Sequence, residues 1–160
     1  MPLPRGRLVG GCSATNACFA LRGWRQDYDE WAAGGNAGWS LADLLPVFRA
    51  VESDADFGGD WHGRNGPVPI RRSAAGELSP LQRAAVAVGH QQVADHNQPG
   101  AVGIGPGPRN VRDGVRMSSA LTHLAVARGR PNLTIRAGAA VARWSCAGPR
   151  RGESGWSAGR

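Results

Sequence analysis

Histidine is the side chain best suited to proton transfer near neutral pH, and this chain has four of them: His62, His90, His96 and His123. His62 lies in a run of turn residues, His90 and His123 fall in predicted helices, and His96 lies near a loop. None is spaced from a cysteine or a carboxylate in a way that predicts a metal site or an activated nucleophile. The sequence therefore predicts no metal ligand and assigns no catalytic residue.

Cysteine chemistry is the next possibility, and the chain has Cys12, Cys18 and Cys146. Three irregularly spaced cysteines are too few for a metal site or a disulfide framework, which predicts a reduced, cytoplasmic setting. Cys12 could be a reactive thiol at the start of a helix, but a small residue packed in a tight turn is favoured. No apolar run approaches the roughly 20 residues that cross a bilayer, so no membrane association is predicted.

A glycine-rich turn is the third candidate for chemistry. Residues 6–11, GRLVGG, are followed by the small and polar run 12–17, CSATNA, which leads into a predicted helix. Because glycine has no side chain, a ligand can approach such a backbone closely. A plain turn with Asn16 at a helix cap explains the same residues, so the turn alone leaves the ligand open.

The charge pattern bears on nucleic-acid binding. The formal net charge is +7, and all 19 basic residues are arginine. A basic face would favour phosphate binding, but these arginines are scattered singly or in pairs such as Arg71-Arg72. This distribution indicates codon bias more than a binding surface, and no nucleic-acid partner is predicted.

Capping residues and apolar periodicity predict the helices that position these groups. One helix should run over 25–33 and stop at Gly34-Gly35, and a second should follow a Ser40 cap through Val51, kinked or interrupted by Pro46. Ser79-Pro80 is typical of a third helix start. A fourth helix is predicted over 118–127.

Strands and loops complete a mixed α/β pattern. Short strands are predicted over 68–71, 133–136 and 140–144, and the glycine- and proline-rich stretch 96–116 reads as one long loop. Residues 145–160 show neither helical nor strand periodicity. We expect that tail to be disordered or translated out of frame.

Residues 6–16, followed by Arg22-Gly23, DYD at 27–29 and Trp31, resemble a flavin-binding signature of the glucose-methanol-choline (GMC) oxidoreductases. Further matches follow in the family's order, at 35–40, 45–48, 62–67, 130–135 and 141. They cover residues 5 to about 144. The family usually has Ser or Thr where Cys12 stands and an aliphatic residue where Thr15 stands.

The resemblance implies FAD as cofactor and a small-molecule alcohol as substrate, oxidised at its CH–OH group by hydride transfer to flavin. The implied cofactor-binding residues are Gly10, Gly11, Ser13, Asn16 and Val141. The family's GxGxxG helix, which holds the pyrophosphate, and its catalytic histidine pair have no counterpart here. We therefore expect a fragment incomplete at both ends, which is inactive by itself.

The resemblance also implies a domain division. Residues 1–66 would belong to a Rossmann-like FAD domain, 67–128 to a partial substrate-binding domain, 129–144 to returning strands of the FAD domain, and 145–160 to the tail. The alternative is a non-catalytic remnant or pseudogene product that does not bind FAD by itself.

Overall fold

Short helices and two-stranded sheets make up the secondary structure of residues 2–72 and 78–139, the part of the chain that the computed structural model describes. A 3₁₀ turn, η1, precedes two α-helices, a parallel strand pair, a third helix, a hairpin and a last helix. The elements are η1 Gly11–Ala14, α1 Arg25–Ala33, α2 Leu41–Val51, β1 Glu52–Asp54, β2 Val68–Ile70, α3 Pro80–Ala87, β3 Val111–Arg112, β4 Val115–Arg116 and α4 His123–Ala127.

Side-chain caps fix the first two α-helices at the predicted bounds. The Asp27 carboxylate accepts a hydrogen bond from the Trp24 amide at 3.0 Å at the start of α1. The Ser40 hydroxyl accepts one from the Asp43 amide at 3.2 Å at the start of α2. These bonds satisfy amides that have no partner inside the helix. The helix α2 continues through Pro46 without a break, so the expected interruption does not occur.

The third helix also begins as predicted, whereas the fourth is shorter. Ser79 and Gln82 exchange hydrogen bonds in a capping box ahead of Pro80. The predicted helix over 118–127 is wrong in its first half, because α4 begins only at His123. The Ser119 amide donates to the Ser13 hydroxyl at 3.0 Å, a side-chain contact that competes with helical hydrogen bonding.

Two small sheets differ from the sequence-based expectation. The strands β1 and β2 pair in parallel, with Glu52 opposite Val68. The prediction of one long loop over 96–116 is wrong at residues 111–116, which form an antiparallel hairpin, β3–β4. Asp113 and Gly114 have φ angles of 50° and 76°, the conformation that two-residue hairpin turns require.

The predicted strand over 133–136 is wrong, because those residues form neither helix nor strand. The Leu133 amide donates to the Arg130 carbonyl in a turn, and within the described part of the chain no strand lies alongside to pair with this segment. The predicted strand 140–144 and the tail 145–160 lie outside the described residues.

Polar side chains dominate the interior of the described chain. Six apolar side chains are buried, namely Cys18, Tyr28, Leu41, Pro69, Ile70 and Pro108, against eight polar or charged ones: Glu52, Asp54, His62, Arg72, Asp95, Asn97, Ser118 and Thr122. Large apolar side chains, including Trp24, Trp31 and Trp39, are exposed. Because charged residues are rarely buried without partners, the polar interior indicates a specific network. None of the described helices has the length and apolar character needed to cross a membrane.

Candidate functional site

The glycine turn, residues 6–16, has a backbone that only glycine adopts readily. Gly10 and Gly11 have φ angles of 97° and 55°, in the left-handed region. A Cβ atom added to Gly11 would meet nothing within 4 Å, whereas one added to Gly6 would lie 2.4 Å from the Gly11 carbonyl oxygen. The turn therefore closes on itself at Gly6 and presents open backbone at Gly11.

Ser13 holds the glycine turn in place. Its hydroxyl lies 2.5 Å from the Gly10 carbonyl oxygen, to which it donates, and accepts from the Ser119 amide at 3.0 Å. A Cβ atom on Gly10 would approach the Ala120 Cβ to 3.3 Å. The turn is thus docked on residues 118–120, and the Ser13 hydroxyl serves that docking.

Asn16 ends the glycine turn with an exposed side chain. Its Oδ1 atom accepts hydrogen bonds from the Cys18 amide at 3.0 Å and from Arg116 Nη1 at 2.7 Å. The Asn16 Nδ2 group has no hydrogen-bond partner among residues 2–72 and 78–139, so it remains able to donate. The structure thus brings Gly10, Gly11, Ser13 and Asn16 into one short segment. Val141 lies outside the described residues.

Residues 17–22, which we call the strap, connect the glycine turn to the segment before α1. The Asn110 amide donates to the Cys18 carbonyl at 2.9 Å, and the Ala20 amide donates to the Pro108 carbonyl at 3.0 Å. Cys18 is buried with φ of 62°, an uncommon value for a non-glycine residue. The strap is therefore held along the extended segment 108–110.

A buried charged cluster lies at the far end of the strap, and His62 is at its centre. The cluster consists of Arg22, Glu52, Asp54, His62, Arg72 and Asp95. His62 Nδ1 is 3.1 Å from Glu52 Oε1 and 3.0 Å from Asp54 Oδ2, and His62 Nε2 is 2.8 Å from Asp95 Oδ2. Each ring nitrogen of His62 thus faces carboxylate oxygens, which accept hydrogen bonds.

Two arginines complete the charge balance of the cluster. Arg72 Nη1 contacts both carboxylate oxygens of Asp54, at 3.0 and 2.9 Å, and Arg72 Nη2 contacts Asp95 Oδ1 at 2.6 Å. Arg22 Nη2 contacts Glu52 Oε1 at 2.8 Å. Three carboxylates thus face two guanidinium groups and the His62 imidazole, and partners of this kind make burial of charge tolerable.

The contacts within the cluster shift the pKa of two of its members. Burial alone would raise the pKa of Asp95, but hydrogen bonds from Asn97, His62 and Arg72, with the charge of Arg72, together hold it below its ordinary value. Burial alone would lower the pKa of Arg72, yet Asp54 and Asp95 raise it overall. Both groups are therefore charged in the folded chain at neutral pH.

The cluster also has the composition of a metal site, but cations already occupy it. Single ligand atoms of Glu52, Asp54 and His62 lie within 4.8 Å of one another. The guanidinium groups of Arg22 and Arg72 bind the same carboxylates, so no metal is needed to balance their charge. We interpret the cluster as an ionic network.

Sequence reasoning missed this cluster, because it considered the spacing of His62 from carboxylates only as a sign of a metal site or an activated nucleophile. Glu52 and Asp54 are two residues apart in β1, and alternate residues of a strand share a face. That spacing was the available signal. The remaining partners, Arg72 and Asp95, are brought in only by the fold.

A cavity of about 510 Å³ lies between α1 and the loop 96–101. Its walls include Trp24, Asp29, Trp61 and His96. His96 is half-buried there, whereas His90 and His123 are exposed. The cavity does not include any residue of the glycine turn.

Comparison with known proteins places this geometry in a class of flavin enzymes. A pyridoxine 4-oxidase structure from Mesorbium loti matches 84% of this chain and 27% of its own, with TM-score 0.75 and 39% identity. An FAD-dependent oxidoreductase from Chaetomium thermophilum matches 81% of this chain and 25% of its own, with TM-score 0.71 and 29% identity. The fold is therefore that of an FAD-binding, Rossmann-like domain.

The chain belongs to the GMC oxidoreductase family, whose sequence profile matches residues 1–151. An oxygen-dependent choline dehydrogenase from Brucella anthropi is 36% identical over 141 residues, which is 86% of this chain and 25% of that relative. The chain thus spans about a quarter of the length of this relative. The predicted family and mixed α/β fold class are confirmed.

Proposed function

We propose that this chain supplies part of the cofactor site of an FAD-dependent oxidoreductase that oxidises the CH–OH group of a small-molecule alcohol. Family membership supports the reaction class, and relatives named for choline and pyridoxine support a small-molecule substrate. The observation that carries the proposal is the glycine turn, because its open backbone at Gly11 lies within the segment that resembles the family's flavin-binding signature.

The glycine turn suits a flat, polar cofactor. Backbone at Gly10 and Gly11 would lie against the FAD, since a side chain at Gly11 would occupy the open space there. The Asn16 Nδ2 group would donate a hydrogen bond to it, with the amide orientation fixed by Arg116 on Oδ1. Ser13 would act by holding the turn. A backbone contact of Val141 with the cofactor remains a proposal from resemblance alone.

The bound FAD would supply the hydride acceptor, which protein side chains cannot provide. The described residues of this chain would bind and orient it. We assign none of them a proton-transfer role. His62 is buried between carboxylates, and any base would come from other regions of such an enzyme.

The domain division at residues 66/67 and 128/129 stays a prediction. The strands β1 and β2 pair across residue 66, and the ion pairs of Asp95 with His62 and of Arg72 with Asp54 cross the same point. The two proposed segments would therefore share ionic contacts. A cytoplasmic location and the inactivity of the isolated chain also stay predictions.

An FAD titration of the purified 160-residue chain, followed by flavin fluorescence, tests the function. We expect weak, saturable binding that dialysis removes. Gly11→Leu should weaken it at least about tenfold, or about 1.4 kcal/mol, by filling the open space. Gly59→Leu is the matched control, because Gly59 also has positive φ and open space but lies outside the turn.

Two results would contradict this proposal. An absence of saturable binding to the wild-type chain would favour the alternative, a remnant that does not bind FAD. Equal weakening by Gly11→Leu and Gly59→Leu would show that the glycine turn is not the contact surface.

A further inference from the structure

We propose that Asn97 is a positioning residue that couples the charged cluster to the strap and thereby sets the place of Asn16. The inference rests on the proposed flavin function, because a fixed Asn16 matters to the reaction only if Asn16 contacts the cofactor. Asn97 is outside the glycine turn and contributes no atom to it.

The Asn97 side chain bonds the strap twice. Its Oδ1 atom accepts from the Arg22 amide at 3.0 Å, and its Nδ2 group donates to the Ala20 carbonyl at 3.0 Å. One partner can only donate and the other can only accept, so the orientation of the Asn97 amide is fixed. Asn97 is buried, with 8% of its surface exposed, so water cannot readily replace these bonds.

The other end of Asn97 is anchored in the cluster. Its backbone amide donates to Asp95 Oδ1 at 3.1 Å. The contacts then pass from Asp95 to His62, from His62 to Glu52, and from Glu52 to the Arg22 guanidinium. They form a closed ring, because Arg22 is bound at its backbone by Asn97 and at its side chain by Glu52.

The strap transmits this anchoring toward the glycine turn. Asn16 Oδ1 accepts from the Cys18 amide, so the Asn16 side chain moves with the strap. Asn110 and Pro108 hold the strap at Cys18 and at the Ala20 amide. Without the Asn97 amide, the described contacts would hold the Arg22 end of the strap through the guanidinium alone.

Asn97→Ala in the full 160-residue chain tests the coupling. Backbone hydrogen exchange should become about tenfold faster at the Arg22 amide, while exchange in α2 stays unchanged. FAD titration should show an apparent dissociation constant raised about fivefold, with a changed visible circular dichroism of the bound flavin. Ser53→Ala is the matched control, since Ser53 lies in β1 beside the cluster but bonds only the Arg64 carbonyl.

The outcomes separate the coupling from the function. Unchanged Arg22 exchange in Asn97→Ala would overturn the coupling, whatever FAD does. Faster exchange with wild-type FAD affinity and dichroism would overturn the positioning role but leave the flavin function standing. If the wild-type chain binds no FAD, the proposed function fails and the positioning role fails with it, while exchange still decides the physical coupling.

A second variant separates the two Asn97 bonds. Asn97→Asp has the same shape and keeps an acceptor for the Arg22 amide, but it places a carboxylate oxygen against the Ala20 carbonyl and a further negative charge beside Asp95. Because the buried carboxylate repels both groups, we expect the Arg22 amide to remain protected while FAD binding is weakened at least as much as in Asn97→Ala. Wild-type FAD binding in Asn97→Asp would overturn a role for the bond to Ala20.

Discussion

The glycine turn and the charged cluster differ in almost every physical respect. The turn is a contiguous segment with no buried residue, held by Ser13 and by the segment 116–120. The cluster is buried and draws its six side chains from separated parts of the chain, joined by ion pairs of 2.6 to 3.1 Å. The turn carries the family signature, and the cluster carries most of the buried charge.

This difference shows that the segment that identifies a protein need not be the segment that stabilises it. A ligand-binding turn has to leave backbone uncovered, which limits the contacts it can make with its own chain. A buried charge, in contrast, must have its partners, and losing one leaves an uncompensated charge. We therefore expect substitutions in the cluster mainly to lower stability and substitutions in the turn mainly to weaken FAD binding.

The largest expected effect is that of Arg72→Met. This change keeps much of the apolar stem but leaves Asp54 and Asp95 without their shared guanidinium. The free energy of unfolding, measured by urea denaturation, should fall by about 3–5 kcal/mol. Arg64→Met at an exposed position is the control and should change it by less than about 0.5 kcal/mol. Equal effects of the two substitutions would remove the distinction between cluster and surface.

Two glycine substitutions extend the comparison at a smaller scale. An alanine Cβ at Gly63, beside the cluster, would lie 1.7 Å from the Arg49 carbonyl oxygen, so Gly63→Ala should cost about 3 kcal/mol of stability by overpacking. A Cβ atom at Gly11 would meet open space, so only the φ of 55° disfavours alanine there. Gly11→Ala should therefore lower the free energy of unfolding by about 1–2 kcal/mol. Thermal and urea unfolding of both variants would check the order, and a reversed order would contradict it.

Acid should destabilise the cluster without involving the turn. The pKa of Asp95 is lowered from its ordinary 3.8, so the folded chain binds this proton less readily than the unfolded chain does. The contribution of Asp95 to stability is present above pH 3.8 and is lost as the pH falls through the folded pKa. Urea denaturation between pH 7 and pH 2.5 should show this loss in wild type and in Ser13→Ala, and less of it in Arg72→Met. The same acid profile in all three would contradict the assignment.

The smallest expected effect is that of Ser13→Ala in the turn. It removes the hydroxyl that bonds Gly10 and Ser119, which should lower the free energy of unfolding by about 1 kcal/mol. FAD binding should weaken although Ser13 does not itself face the cofactor in our proposal, because the turn loses its docking on residues 118–120. Ser53→Ala, which loses a hydroxyl bond to the Arg64 carbonyl away from the turn, is the control for flavin fluorescence titration. Unchanged FAD binding in Ser13→Ala would contradict the docking role.

The features that could be predicted from the sequence are those encoded by neighbouring residues. Ser40 and Ser79 fix the starts of their helices by accepting hydrogen bonds from the amides three residues further along the chain. Such partners are close in space because they are close in sequence. The glycine turn is local in the same sense. The hairpin 111–116 was also accessible, because Asp113-Gly114 is a strong hairpin signal that the glycine-rich surroundings obscured.

The features that could not be predicted depend on distant partners. Asp95 lies 33 residues from His62, and Asn97 lies 75 residues from Arg22, so no local spacing indicates either contact. The segment 133–136 has the composition of a strand, but composition does not supply the neighbouring strand that would pair with it. Burial of so many charges also runs against the usual expectation that charged residues lie on the surface.

The charge balance of the cluster constrains how such a sequence can drift. The carboxylates of the cluster are held by Arg22, Arg72 and His62 in the interior, so a neutral substitution of either arginine leaves a buried carboxylate without its partner. Changes there should be tolerated in pairs, for example at Arg72 together with Asp54, and a lineage passing through either single change would cross a fitness valley. Because of this pairwise epistasis, the buried charged residues should be replaced in pairs, whereas exposed arginines can be replaced one at a time.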